Sequence, residues 1–270
     1  MSHGGSIPLV LCLSGHDPSG GAGLQADIEA IAANGAQACT LVTCLTLQDS
    51  CGVLEVRPVD GDWLVRQAEL LFADSRFQAI KIGIIPDLET LKAILAILKR
   101  HPGIPVVLDP VLAAGGNGTS LTSVSTLDKV RDRLLPRVTL ITPNGVEARA
   151  LVPGEADLPG CAGRLLAWGC RWVLITGGHE PQAEVVNRLY NQDGLVDEMS
   201  WPRLPGGFHG SGCTLASAIA AHLGRGATLP TAVRLAQGYT WESLARAFRS
   251  GRGQLVPDRF PSLRREIEHD

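Results

Sequence analysis

Short apolar runs alternate with helical patterns along most of this chain, and that alternation constrains the fold more than any other feature. Strand candidates are Leu9–Ser14, Gln37–Thr46, Ala79–Ile84, Pro105–Leu108, Thr139–Thr142 and Trp172–Thr176. Helical periodicity marks Leu24–Ala33, Leu64–Phe72, Leu88–Leu98, Val124–Leu135, Val146–Leu151 and Cys161–Trp168 between them. This order predicts a parallel sheet flanked by helices. The strand runs are apolar throughout, as required when helices cover both sheet faces. After Thr176 the pattern becomes a hairpin, Glu184–Tyr190 and Leu195–Trp201, bridged by Asn191-Gln192-Asp193-Gly194 with its Asp-Gly turn signal. Helical patterns then fill Thr214–Leu223 and Ala232–Ala247. With 270 residues, no internal repeat and no long linker, one α/β domain over residues 1–270 is expected. Ligands in such sheets gather at the carboxyl ends of the strands.

Composition excludes several partners. A net charge of −3 offers no electrostatic case for nucleic acid or anionic membranes. No run approaches eighteen apolar residues, so no membrane-spanning helix is expected. The N-terminus lacks a basic segment, and the apolar run Pro8 to Leu13 is too short for a signal peptide. Seven scattered cysteines form no C-x-x-C pair, which supports neither a zinc site nor a disulfide framework. The cytoplasm is the expected compartment.

Chemistry concentrates in a few segments. Gly207-Phe208-His209-Gly210-Ser211-Gly212-Cys213-Thr214 opens a helical pattern. A helix start carries unpaired N–H groups and partial positive charge, and glycines let an anion approach that backbone. The same field favours a thiolate at Cys213. Gly212→Ala is expected to crowd this turn and tilt its amides. Near the N-terminus, Gly15-His16-Asp17-Pro18-Ser19-Gly20-Gly21-Ala22-Gly23 joins a strand to a helix. It is not a P-loop, because no Lys-Ser or Lys-Thr follows. Gly21 to Ala26 matches the alanine variant of the dinucleotide fingerprint, but no acidic residue clearly closes the second strand about twenty residues on. Asp17 and Asp27 are polar ligand candidates there, with turn formation or capping as the alternative. Gln48 can donate and accept, which suits a nitrogen heterocycle, although taken alone an exposed loop glutamine is the better reading. Asp109 ends one strand run, and Asn144 and Glu147 follow another one helical turn apart. Two acids at neighbouring strand ends suit Mg²⁺ beside a substrate phosphate, while Asn144-x-x-Glu147 also fits a capping box. Thr176-Gly177-Gly178-His179 runs a strand into glycines that let a nucleotide lie close to backbone, and His179 reads as a turn residue.

Taken together these segments resemble the hydroxymethylpyrimidine/phosphomethylpyrimidine kinases of the ribokinase-like superfamily. The resemblance rests on Gly15-x-Asp17-x-Ser19-Gly20-Gly21-Ala22-Gly23-x-Gln25-Ala26-Asp27, then Gln48, Lys81-Ile82-Gly83, Asp109-Pro110-Val111, Thr142-Pro143-Asn144-x-x-Glu147, Gly177-Gly178-His179 and His209-Gly210-Ser211-Gly212-Cys213-Thr214, in family order over nearly the whole chain. It implies a three-layer α/β/α fold with a mostly parallel sheet, ATP and Mg²⁺, and two successive phosphorylations of a pyrimidine alcohol in thiamine biosynthesis. It implies Cys213 as catalytic base, Gly210, Ser211 and Gly212 as an anion hole, and Gln48, Gly15, Asp27 and Val111 at the pyrimidine. Asn144, Thr176, Gly177 and Gly178 would meet ATP, and Asp109 and Glu147 would hold Mg²⁺. A homodimer is the expected assembly. The chain departs from the family at Asp49, where asparagine is usual, and at Ala114 and Thr176, where lysine is frequent. Lys81 is the obvious cation left in the motifs. The nearest alternative is a pyridoxine or pyridoxal kinase of the same superfamily. A nicotinamide-dependent oxidoreductase built on Gly21-x-Gly23, and a non-catalytic ligand sensor, are the readings from other classes.

Overall fold

The computed structural model describes residues 7–113, 118, 121–181 and 183–260. Among them nine strands share one sheet: β1 (Leu9–His16), β2 (Gln37–Gln48), β3 (Val53–Pro58), β4 (Ala79–Ile82), β5 (Val106–Leu108), β6 (Leu140–Ile141), β7 (Trp172–Ile175), β8 (Glu184–Asn191) and β9 (Gly194–Pro202). Their order is β3-β2-β1-β4-β5-β6-β7-β8-β9. The central six, β2 to β7 in space, pair in parallel, and β3, β8 and β9 add antiparallel edges. The helices are α1 (Gly23–Ala33), α2 (Gly61–Asp74), α3 (Leu88–Arg100), α4 (Val124–Lys129), α5 (Gly145–Leu151), α6 (Leu158–Ala167), α7 (Ser211–Gly224) and α8 (Leu229–Ala245). The expected three layers are present.

Strand pleating divides an unbroken apolar sequence between the two faces. Leu11 and Leu13 of β1 enter a core built with Leu64 of α2, Ile94 of α3 and Leu165 of α6. Val10 and Cys12 enter the opposite core with Ile31 of α1, Ile219 of α7 and Val233 of α8. Lys81 of β4 stands beside Cys12 in register. Its side chain therefore leaves the sheet on the α1/α7 side, while Ile80 and Ile82 take the other core.

Three differences from the sequence reading have physical causes. Strand β3 carries no continuous apolar run, and only its edge pairing with β2 makes it a strand. Strand β2 continues to Gln48 because that pairing extends its ladder. The helix expected over Val124–Leu135 is α-helical only to Lys129, then widens to a π turn over Val130–Leu134 and tightens to 3₁₀ over Leu135–Arg137. Pro136 supplies no N–H to an α ladder there.

Candidate active site

The carboxyl ends of β1, β2, β5, β6 and β7 open onto one cleft of about 800 Å³, closed on one side by the start of α7. Gly15, Gln48, Asp109, Val111, Asn144, Glu147, Thr176, Gly178, Gly210, Ser211, Gly212 and Cys213 all line it. Residues spread over two hundred positions of sequence therefore meet where the fold predicts a ligand. Ala114 lies outside the described residues.

The helix ends explain why α7 can receive an anion. Asp60, Asp87, Ser123, Asn144 and Asp157 cap α2 to α6 with side-chain oxygens. The starts of α1 and α7, which enter the cleft, have no such cap, and neither has α8. Gly210 precedes α7 at φ +85°, and a Cβ there would lie 2.0 Å from the Gly21 carbonyl oxygen. Only glycine fits that turn. Gly212 differs: its Cβ would meet Asp109 Oδ1 at 3.5 Å, an ordinary contact. The expectation that Gly212→Ala crowds the turn is therefore corrected, because Gly210 is the position that tolerates no side chain. Gly15 sits at a bulge of β1, where a Cβ would lie 2.7 Å from Ile84 and 2.9 Å from Cys44. Its bare backbone lines the floor of the cleft.

Two loops lock together above that floor. Asp17 accepts bonds from Ser19 N (2.8 Å), Ser19 Oγ (2.7 Å) and Ala22 N (2.8 Å), and its Oδ2 lies 2.8 Å from His209 Nε2. Burial pushes this carboxyl up, but the bonds from His209, Ser19 and Ala22 outweigh it and hold the pKa at about 2. Asp17 thus builds the turn and also ties the first glycine loop to the second.

Behind the loops runs a buried ionic network. Lys81 Nζ lies 2.7 Å from Asp27 Oδ1, 3.1 Å from Ser14 Oγ and 4.0 Å from Asp109 Oδ2. Ser217 also donates to Asp27 Oδ1 at 2.7 Å. Asp27 is wholly buried and does not line the cleft. Its expected contact with substrate is corrected: it anchors Lys81 between α1 and α7. Burial alone would lower the Lys81 pKa, but the Asp27 carboxylate in contact with it, with Asp109 further off, raises it overall, so it is a fixed cation.

Cys213 is 8 % exposed. Burial pushes its thiol pKa up, Lys81 pulls it down, and Asp109 and Asp27 push it up again. The net rise corrects the expectation that the helix start alone yields a thiolate: desolvation outweighs the helix field. Asp109 beside it has its own pKa raised by burial against the opposing pull of Lys81 and of the Cys213 thiol. Asp109 Oδ2 has no hydrogen-bond partner among the described residues.

Asn144 and Glu147 form the capping box of α5: Glu147 N donates to Asn144 Oδ1 and Asn144 N to Glu147 Oε2, both at 3.0 Å. Glu147 nonetheless faces the cleft, and burial with the Asp109 charge raises its pKa to about 8. Thr176 continues β7 through a bridge to Asn144. Gly177 turns away from the cleft lining. Its N–H donates to Asn187 Oδ1 at 3.0 Å, which corrects its expected contact with ATP. The loop that follows is clasped by Arg149, paired with Glu180 at 2.9 Å, and by Arg203, which donates to the Gly178 and Glu180 carbonyls at 2.8 Å each. His179 lies in a turn there, as read from the sequence. Among the described residues no cluster of three or more metal-ligating side chains occurs. No helix among them is long and apolar enough to cross a membrane.

Sequence reasoning left three functional groups unplaced. Lys81 was visible as a cation in an apolar run, but its partners depend on tertiary packing. The Asp17–His209 pair joins positions 192 apart. Arg259, well beyond the end of α8 at Ala245, gave no signal at all.

Comparisons with known proteins bear on the family and the fold. The model of the family described as phosphomethylpyrimidine kinase matches residues 17–258. A hydroxymethylpyrimidine/phosphomethylpyrimidine kinase of Salmonella typhimurium is 38% identical over 243 residues, covering 88% of this chain and 91% of that protein. The crystal structure of a phosphomethylpyrimidine kinase from Clostridium difficile superposes with a TM-score of 0.76 at 29% identity, covering 88% of this chain and all of the other. A Staphylococcus aureus pyridoxal kinase in complex with pyridoxal superposes with a TM-score of 0.85 at 25% identity, covering 96% of each chain. The fold is ribokinase-like.

Proposed function

The chain belongs to the phosphomethylpyrimidine kinase family, and from that membership we propose that it phosphorylates 4-amino-5-hydroxymethyl-2-methylpyrimidine with ATP, then its monophosphate to the diphosphate, in thiamine biosynthesis. The observation that carries the reading is the uncapped glycine turn of α7, set beside Asp109 and Cys213 in the cleft that also holds Gln48. Phosphoryl transfer needs positioning and charge stabilisation more than covalent chemistry. The amides of Gly210 to Cys213 would meet the transferring group, as preorganised donors do for developing charge. Thr176, Gly178 and the side chain of Asn144 would border the nucleotide, and Gln48, Gly15 and Val111 the ring.

The residues present fit a divalent cation. Mg²⁺ takes one or two carboxylates and completes its shell with water and phosphate oxygens. Asp109, with an unsatisfied buried oxygen, and Glu147 offer that set without a third protein ligand. Bound there, Mg²⁺ would neutralise phosphate charge. In the first step Cys213, once its thiol proton has gone to solvent with the help of the Lys81 charge, would take the substrate hydroxyl proton on sulfur and become the neutral thiol again. The second step attacks through a phosphate oxygen and needs no such base. Lys81 stays charged throughout and balances the carboxylates.

Residues 1–270 read as one kinase domain, since the nine strands form one sheet, and as a cytoplasmic enzyme. A homodimer is supported by three exposed leucines on the β2–β3 edge, Leu45 (48%), Leu47 (60%) and Leu54 (81%). Pyridoxal phosphorylation is the second reading, favoured by the close superposition with the Staphylococcus aureus enzyme. Comparing kcat/KM for the pyrimidine and for pyridoxal at saturating Mg·ATP tests the assignment. The pyrimidine should be preferred, and a preference for pyridoxal would reverse it.

A further inference from the structure

Arg259 is among the largest fully buried side chains, at 2% exposure, and stands one residue beyond the span matched by the family model. Its Nε donates to Thr214 Oγ1 at 2.9 Å, and Nη1 donates to Glu29 Oε2 at 3.0 Å and Gly20 O at 3.4 Å. Nη2 donates to Gly21 O. Thr214 Oγ1 in turn donates to Gly210 O at 2.8 Å. Tyr239 OH donates to the Arg259 carbonyl at 2.9 Å, and Asp258 N donates to Ser243 O at 3.0 Å, so α8 holds the arginine backbone. One guanidinium thus joins the first glycine loop, α1 and the first turn of α7. Its planar fork of five donors can reach these acceptors together, whereas an ammonium is a single compact centre.

We propose that Arg259 is a positioning residue for phosphoryl transfer. Through Thr214 it fixes the Gly210 carbonyl, and through Gly21 it fixes the loop against which Gly210 packs. The amides of Gly210 to Cys213 are thereby held in one geometry. Arg259 touches no substrate. It acts by denying the turn alternative arrangements, and small misplacements of such donors are expensive in rate. The proposal rests on the reading of the α7 turn as the site of the transferring phosphoryl group.

The test compares Arg259→Lys, Thr214→Val and Thr214→Ser with the wild-type protein. Thermal melting, kcat and both KM values are measured with Mg·ATP and hydroxymethylpyrimidine. Arg259→Lys and Thr214→Val should each lower kcat by about 10- to 100-fold, with the pyrimidine KM within about twofold of wild type. Thr214→Ser keeps the hydroxyl relay and should retain kcat near the wild-type value. If Arg259→Lys does not fold, the threonine pair decides. A folded Thr214→Val with wild-type kcat, or a Thr214→Ser as slow as the valine variant, overturns the positioning role. A wild-type protein inert toward the pyrimidine overturns the kinase reading instead. The same variants are then judged by calorimetric Mg·ATP binding, where weakening in Thr214→Val but not Thr214→Ser supports the role of Arg259 and equal affinities overturn it.

Discussion

Replacing Asp17 by asparagine should loosen the lock between the two glycine loops, and the structure sets the size of the effect. The carboxyl is 6 % exposed and sits at a pKa of about 2 against an ordinary value of 3.8. At 1.36 kcal/mol per pKa unit, the preference of the folded state for the charged form is worth about 2 kcal/mol. For a chain of this size that corresponds to roughly 4–8 °C in Tm. The folded pKa is depressed, so the contribution is fully present above about pH 4 and disappears as pH falls towards about 2. Asparagine does not titrate, so Asp17→Asn should be less stable than wild type at pH 7 and pH 5, with the gap narrowing by pH 3. Denaturant unfolding across that series, followed by circular dichroism, measures it. A gap below about 0.5 kcal/mol at pH 7, or one that does not change down to pH 3, would refute the reasoning.

Other substitutions separate the roles of the cleft residues. Cys213→Ala should slow phosphorylation of the alcohol by about 10²-fold or more and damage the second step less, as pre-steady-state product analysis would reveal. Near-wild-type turnover of the alcohol would remove Cys213 from the proton path. Gln48→Ala should raise the pyrimidine KM and leave the KM for ATP nearly unchanged, because only the heterocycle can use its donor and acceptor. A loss of stability without a change in KM would make Gln48 a loop residue only. Gly210→Ala should reduce kcat by about 10²-fold or more, since φ +85° and the Gly21 oxygen leave no room for a methyl group. Gly212→Ala should fold normally and keep the larger share of activity. The reverse order of the two alanine variants would contradict the assigned turn geometry.

The layered fold was legible because it depends on local periodicity. Apolar runs alternating with helical patterns marked the six parallel strands, and the switch to a hairpin after Thr176 marked β8 and β9. Strand β3 was not legible, because an exposed edge strand is specified by its partner and not by its own apolar residues. In the site, the residues that touch the cleft announced themselves as departures from strand or helix chemistry at strand ends: Gln48, Asp109, Asn144 and the α7 turn. Asp27 and Gly177 belong to the same motifs yet face inward. A motif records that a residue matters to the site, not which side of the backbone it occupies. Cys213 shows a further limit. Its place in the first turn of α7 was visible, but its pKa is set by burial and by Asp109, Asp27 and Lys81, which converge on it only in three dimensions. Arg259 was hidden for the same reason: its acceptors lie between 45 and 239 residues away from it in sequence, from Thr214 back to Gly20.

The central claim is that this cleft places two phosphates in succession on one pyrimidine alcohol. Purified protein incubated with Mg·ATP and hydroxymethylpyrimidine, sampled over time and analysed by mass spectrometry, tests it most directly. A monophosphate should rise and then fall as a diphosphate replaces it, with both absent when ATP is omitted. Unchanged pyrimidine alongside ready phosphorylation of pyridoxal would contradict it.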